Sequence, residues 1–290
     1  MVKSLILLLL FVSVFTHAQE KLPIDGFDIR VKTAGLESRE PGSPVLVLES
    51  GYGTSMDHWD RVFEGFAELA PVVAYDRPGI GESAPDGEMP TIKNVADKLI
   101  RVLEQLNVSP PYILVGHSLG GAYVRGFAGY YPEKVAGLVI IDPADFTETQ
   151  DNKRDYYDVL GWDDDRIDEE FARLEAVRLQ GNTDLPVSLQ EERQVLREMR
   201  ETDFKELRQH PLPNIPVHII TGGRFDMPER FRSTEYDDEV LFRSKMQHRT
   251  NRWIEVIQSV DKGMFFYSAD AGHFVHYDDP ELVISLSLIH

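Results

Sequence analysis

Short apolar runs that alternate with stretches of helical periodicity constrain this chain most. They fall at residues 45–48, 72–75, 113–115, 138–141, 217–220 and 264–267. Strands that are apolar on both faces belong inside a sheet covered on both sides, and the rhythm predicts βαβ units around a mostly parallel sheet. Residues 27–32 read as an antiparallel edge strand. Thr91 is expected to cap a helix whose Ile92, Val95, Leu99, Val102 and Leu106 form one stripe. A second helix is expected over 118–131, stopped by Pro132. A chain of 290 residues, 42% hydrophobic, suits one large α/β domain carrying an insertion.

The rhythm breaks between Asp142 and Ile215, where two amphipathic helices replace the expected strand. Ile167, Phe171, Leu174 and Val177 mark the first. Ser188 with Glu191 reads as a capping box for the second, which presents Val195, Leu196 and Met199. The division predicted is a signal peptide at 1–18, a core in two parts (19–142 and 213–290) and a helical lid at 143–212. The lid carries 19 acidic against 10 basic side chains. Its Trp162, Phe171, Met199 and Phe204 offer an apolar acyl pocket, although residues at helical spacing more often pack such a segment onto the core.

Lys3, an apolar run at 5–15 and Ala18 ahead of Gln19 have the order of a secretory signal, which predicts an exported protein; an uncleaved anchor is the alternative. A net charge of −19 repels phosphate backbones and anionic lipid, so neither nucleic acid nor a membrane surface is an expected partner. With no cysteine, disulfides and thiolate metal sites are excluded.

The chemistry-bearing motif is Gly116-His117-Ser118-Leu119-Gly120, directly after an apolar run. A Gly-x-Ser-x-Gly turn between strand and helix holds a serine hydroxyl exposed and strained. Serine needs a base to take its proton and a third group to hold that base's tautomer. His273 follows the run at 264–267, and Asp226 follows the run at 217–220, in the chain order Ser118, Asp226, His273. Asp142, at the end of the run 138–141, is the alternative acid. Otherwise it reads as a turn or N-cap residue. His276 lies three residues past His273, but no third metal ligand at suitable spacing follows, so neither metal nor cofactor is expected.

Taken together, ESGYG at 49–53, DRPGIGES at 76–83, GHSLGG at 116–121, GGRFD at 222–226 and AGHFVHYDDPELV at 271–283 resemble the serine hydrolases of the α/β-hydrolase fold. The resemblance covers residues 25–290. It implies an eight-stranded, mostly parallel sheet flanked by helices, with the lid inserted after the sixth strand. It also implies an oxyanion hole from the backbone N–H groups of Leu119 and Tyr52; losing one such donor costs about 10² to 10³ in turnover. Many relatives have His-Gly in this loop where this chain has Ser50-Gly51 preceded by Glu49, and Glu49 is expected to pair with Arg77. Cleavage of a carboxylic ester or similar acyl bond follows, on a small substrate that an acidic lid biases towards neutral or cationic. A serine at this turn argues against dehalogenase and epoxide-hydrolase chemistry, which would need an aspartate. A receptor-like binder of the same fold, or an acyltransferase or lyase using the same residues, are the competing readings.

Overall fold

The computed structural model describes residues 17–180 and 184–287. Among the described residues eight strands run β1 (His17–Ile24), β2 (Phe27–Ala34), β3 (Val45–Glu49), β4 (Val72–Tyr75), β5 (Tyr112–His117), β6 (Val135–Ile141), β7 (Val217–Gly222) and β8 (Gly263–Ser268). They form one sheet in the order β1-β2-β4-β3-β5-β6-β7-β8. β2 pairs antiparallel with both β1 and β4, and every pairing from β4 to β8 is parallel.

The helices are α1 (Asp60–Leu69), α2 (Ile92–Gln105), α3 (Leu119–Tyr130), α4 (Asp164–Gln180), α5 (Val187–Glu201), α6 (Lys205–Gln209), α7 (Asp238–Gln258), α8 (Val275–Asp278) and α9 (Pro280–Leu286). Period-2 alternation divides the core between the two faces of the sheet. Val45, Val47, Val73, Leu114, Leu138, Ile140 and Ile219 pack with α2, with Val124 and Phe127 of α3, and with Trp253 of α7. Leu46, Leu48, Val72, Val115, Val139, Ile141 and Ile220 pack with Phe63 and Phe66 of α1, Val275 of α8 and Val283 of α9. Because both faces are covered, the strands β3, β4, β5 and β7 are buried at every position.

Several expectations change. The strand expected at 27–32 is β2, and it is not an edge, because β1 pairs along its whole length. The run at 264–267 lies in β8 on the opposite edge, so Met264 and Tyr267 are 46% and 44% exposed rather than buried. Thr91 caps α2 as expected, its hydroxyl accepting the Asn94 N–H. The capping box at Ser188 does not form: α5 starts one residue earlier, after Pro186, which leaves Ser188 inside the first turn.

Among its described residues, the segment between β6 and β7 holds α4, α5 and α6 and no strand. Val177 of α4 is exposed, outside the stripe it was expected to join. Met199 and Phe204 pack on Leu119, Ala122 and Tyr123 of α3, while Trp162 and Phe171 pack around Tyr156, Tyr157 and Ile167. All four aromatic and sulfur side chains therefore serve packing. The signal segment lies outside the described residues up to position 16, and β1 begins two residues before the expected cut.

Candidate active site

The apolar strand β5 ends at His117, α3 begins at Leu119, and Ser118 is the single residue between them. Its φ of 55° and ψ of −118° are strained for a residue with a Cβ, and the fold holds them from both sides. Ser118 N–H donates to the Ile141 carbonyl at 3.0 Å, and its own carbonyl accepts Ala144 N–H at 2.8 Å. The two glycines of the motif answer to crowding. A Cβ on Gly116 would stand 2.5 Å from the Gly120 carbonyl oxygen, and one on Gly120 would stand 2.2 Å from that of Glu49.

His273 follows β8, and its Nε2 lies 3.1 Å from Ser118 Oγ. Its Nδ1 lies 2.6 Å from Oδ2 of Asp142. A carboxylate only accepts, so the proton sits on Nδ1 and Nε2 is free to receive the serine proton. The acid in this position is Asp142, which corrects the choice of Asp226. Asp226 has a 73% exposed side chain and pairs with Arg224 at 3.4 Å. β6 neighbours β5 in the sheet, so the residue leaving β6 arises beside the serine turn, whereas the loop after β7 carries Asp226 outward.

Asp142 is itself held on several sides. Its N–H donates to the Ile220 carbonyl at 2.7 Å, and Arg249 of α7 donates to its Oδ1 at 3.2 Å and to the Pro143 carbonyl at 2.6 Å. Burial alone would raise the Asp142 carboxyl. The Arg249 charge and the His273 hydrogen bond outweigh it and hold the group below the usual carboxylate range. Arg249 was not foreseen from sequence, since nothing in its α7 neighbourhood signals a partner more than 100 residues upstream.

Leu119 opens α3, so its N–H is among the donors a helix leaves without an internal partner. The loop carrying Tyr52 flanks the serine: a Cβ on Gly51 would lie 3.2 Å from Ser118 Cβ. The next amide, Gly53 N–H, is occupied by Glu192 Oε2 at 2.7 Å. The expected Glu49–Arg77 pair forms at 2.6 Å with both side chains buried. Arg77 also meets Glu192 of α5, while Tyr75 donates its hydroxyl to the second Glu49 oxygen. Burial raises Glu49 despite the adjacent guanidinium, and burial with the Glu49 charge raises Tyr75 well above the ordinary phenol value. Burial opposes the Arg77 charge, but the two carboxylates more than offset it.

His117 and His276 gather with His58, their candidate ligand nitrogens within 4.8 Å of one another. Local spacing hid this, because the three come from β5, α8 and the turn before α1. The rings fill the space among themselves, with centroids 4.7 to 5.7 Å apart. A Cβ on Gly51 would stand only 3.0 Å from His117 Nδ1. His117 Nε2 donates to the His273 carbonyl at 3.0 Å, which ties this cluster to the backbone that carries the His273 ring.

Burial and neighbouring imidazoles push His117 well below its ordinary value, and burial with His58 and His273 pushes His276 down to about 3. A base lowered by folding stabilises above its unfolded value, near pH 6.5, and that contribution is lost as pH falls towards the folded value. Stability should therefore decline below about pH 6.5 by up to about 1.4 kcal/mol per pH unit for each of the two imidazoles. Urea midpoints at pH 7 and pH 5 measure this. His276→Phe should flatten the slope by one imidazole's share, and an unchanged slope would contradict the assignment.

Comparison with known proteins places these features in a family. The model of the alpha/beta hydrolase fold matches residues 44–195. An uncharacterized Bacillus subtilis protein, YqjL, is 24% identical over 251 residues, 82% of this chain and 80% of that one. A putative carbamate hydrolase, RutD, of Cronobacter turicensis is 36% identical over 105 residues, 35% of this chain and 38% of its own length. Among solved structures, the enol-lactonase from Burkholderia xenovorans LB400 superposes with a TM-score of 0.58 at 16% identity, covering 92% of this chain and 97% of that one. The epoxide hydrolase CorEH does so with a TM-score of 0.59 at 20% identity, covering 95% and 98%.

Proposed function

The chain belongs to the alpha/beta hydrolase fold family, and from that premise we propose that it is a serine hydrolase acting on a carboxylic ester or a related acyl bond. The observation that carries the reading is the alignment of Ser118 Oγ, the His273 ring and the Asp142 carboxylate at 3.1 and 2.6 Å within a strained strand-to-helix turn.

Ser118 Oγ attacks the carbonyl carbon while its proton passes to His273 Nε2. The carbonyl oxygen becomes an oxyanion facing the Leu119 and Tyr52 N–H groups. Collapse breaks the bond to the leaving alcohol, which takes the proton from His273 and leaves an acyl-serine. Water then attacks the acyl carbon, again giving its proton to His273, and the second collapse returns that proton to Ser118 and releases the acid. Asp142 stays ionised throughout and stabilises the imidazolium.

A serine in this position supports acyl transfer over the aspartate chemistry of epoxide opening. The helical segment between β6 and β7 acts as a lid, and its acidity favours neutral or cationic substrates. The order of residues 1–18 supports export. The test is p-nitrophenyl acetate, assayed alongside lactone, carbamate and amide substrates. A burst of p-nitrophenol equal to the enzyme followed by steady turnover is expected. Release no faster than in buffer across the series would overturn the reading.

A further inference from the structure

Glu192 is a charged residue of α5 that is 1% exposed, and it reaches the loop beside Ser118. Its Oε2 accepts Gly53 N–H at 2.7 Å, and its Oε1 accepts Arg77 Nε at 2.7 Å and pairs with Arg77 Nη2 at 2.6 Å. The remaining Arg77 donors reach Glu49 Oε1 and the Ser50 carbonyl, each at 2.6 Å, and the Gly51 carbonyl at 2.7 Å. Arg77 thereby donates four hydrogen bonds and adds an ion-pair contact to Glu192, across one carboxylate at the end of β3, two consecutive carbonyls of the loop and one carboxylate of α5. The first turn of α5 adds contacts of its own. The Leu189 carbonyl accepts the Tyr52 hydroxyl at 3.3 Å, and Leu189 lies against Gly53.

We propose that Glu192 is a positioning residue for acyl transfer: it makes the seating of α5 and the shape of the 50–53 loop a single structural state. The inference rests on the serine-hydrolase reading and deepens it. The loop's conformation decides where Tyr52 N–H points. Trp59 Nε1 holds Ser50 Oγ at 3.0 Å and Thr54 closes a turn on the Gly51 carbonyl, while the Ser50 and Gly51 carbonyls, Tyr52 and Gly53 N–H are tied to Arg77 or to α5, and Arg77 is itself oriented by Glu192. Lifting α5 would at once break the hydrogen bonds of Gly53 N–H and Arg77 Nε to Glu192 and separate the Arg77–Glu192 ion pair, a costly loss for a buried charged group. α5 is therefore the fixed wall of the site and not a flap that swings to admit substrate.

Glu192→Gln keeps the side-chain length but replaces one acceptor oxygen with a donor that faces donors. Active-site titration with a fluorophosphonate separates the fraction of competent enzyme from its rate. Turnover of p-nitrophenyl acetate per titrated site should fall about 10- to 100-fold, as for a misaligned oxyanion donor, with KM changed less than about threefold. Affinity for a boronic acid, which forms a tetrahedral anion on the serine, should fall in parallel. Glu192→Asp, restoring charge but not reach, should lie between. Unchanged turnover per site in folded Glu192→Gln would overturn the proposal. If that variant does not fold, hydrogen exchange of the unaltered chain decides: residues 50–54 and 187–196 should open with one common free energy, and independent opening would refute the coupling. A parent chain that no fluorophosphonate labels would instead refute the serine-hydrolase reading, leaving the exchange result to speak for the coupling alone.

Discussion

Asp142→Asn should lower kcat for p-nitrophenyl acetate about 10⁴-fold, while Asp226→Asn should leave it within about twofold. The asymmetry follows from geometry. Asp142 accepts the His273 Nδ1 proton at 2.6 Å inside the fold, whereas Asp226 is exposed and pairs with Arg224. An asparagine at 142 presents an amide that can donate to Nδ1, which moves the ring proton to Nε2, where it faces Ser118 and cannot accept. The imidazolium also loses its counter-charge. Arg249 and the Ile220 carbonyl still hold the backbone and side chain in place, so the variant should fold. Steady-state kinetics of the two variants settle the assignment: loss in Asp226→Asn with retention in Asp142→Asn would return the role to Asp226.

Arg77→Met should destabilise the fold by about 3–5 kcal/mol, the range for breaking a buried ion pair by removing one partner. For a chain of this length that corresponds to a fall in Tm of about 5–8 °C. Glu49 and Glu192 are each 1% exposed, so neither regains solvent when the guanidinium goes. The pH dependence has a definite sign. Burial already raises Glu49, and removal of Arg77 raises it further. A carboxyl raised by folding stabilises below its unfolded value, and that contribution is lost as pH rises through the folded value. The deficit of the variant should therefore be larger at pH 8 than at pH 5. Arg197→Met, which breaks an exposed pair with Glu201 at 3.6 Å, should change stability by less than about 0.5 kcal/mol. Denaturant titration of both variants at the two pH values measures the contrast. An Arg77→Met penalty as small as that of Arg197→Met would contradict the network.

The parallel sheet was legible because strands covered on both faces leave uninterrupted apolar runs, and β3 to β7 obey that rule. Ser118 and His273 were legible because each lies beyond the carboxyl end of an apolar run, and in a parallel sheet those ends share one side. The two end strands were less so. β1 and β8 are half-exposed in part, and exposed edges do not keep the pattern that betrays a central strand. Asp142 shows where linear reasoning stops. Its position at a strand end was visible, but the choice between it and Asp226 depends on which strand lies next to β5, and that is a property of sheet order. Glu192, Arg249 and the His58–His117–His276 cluster share this difficulty. Their partners lie on distant elements, and no periodicity links an α5 glutamate to a loop 139 residues away.

The proposed acyl transfer begins at Ser118 Oγ. Incubation of the full chain with a fluorophosphonate, followed by peptide mass spectrometry, tests it most directly. Stoichiometric phosphonylation of Ser118 is expected, with labelling slowed strongly in Asp142→Asn and unaltered in Asp226→Asn. Modification of another serine, or none under conditions where the chain is folded, would contradict it.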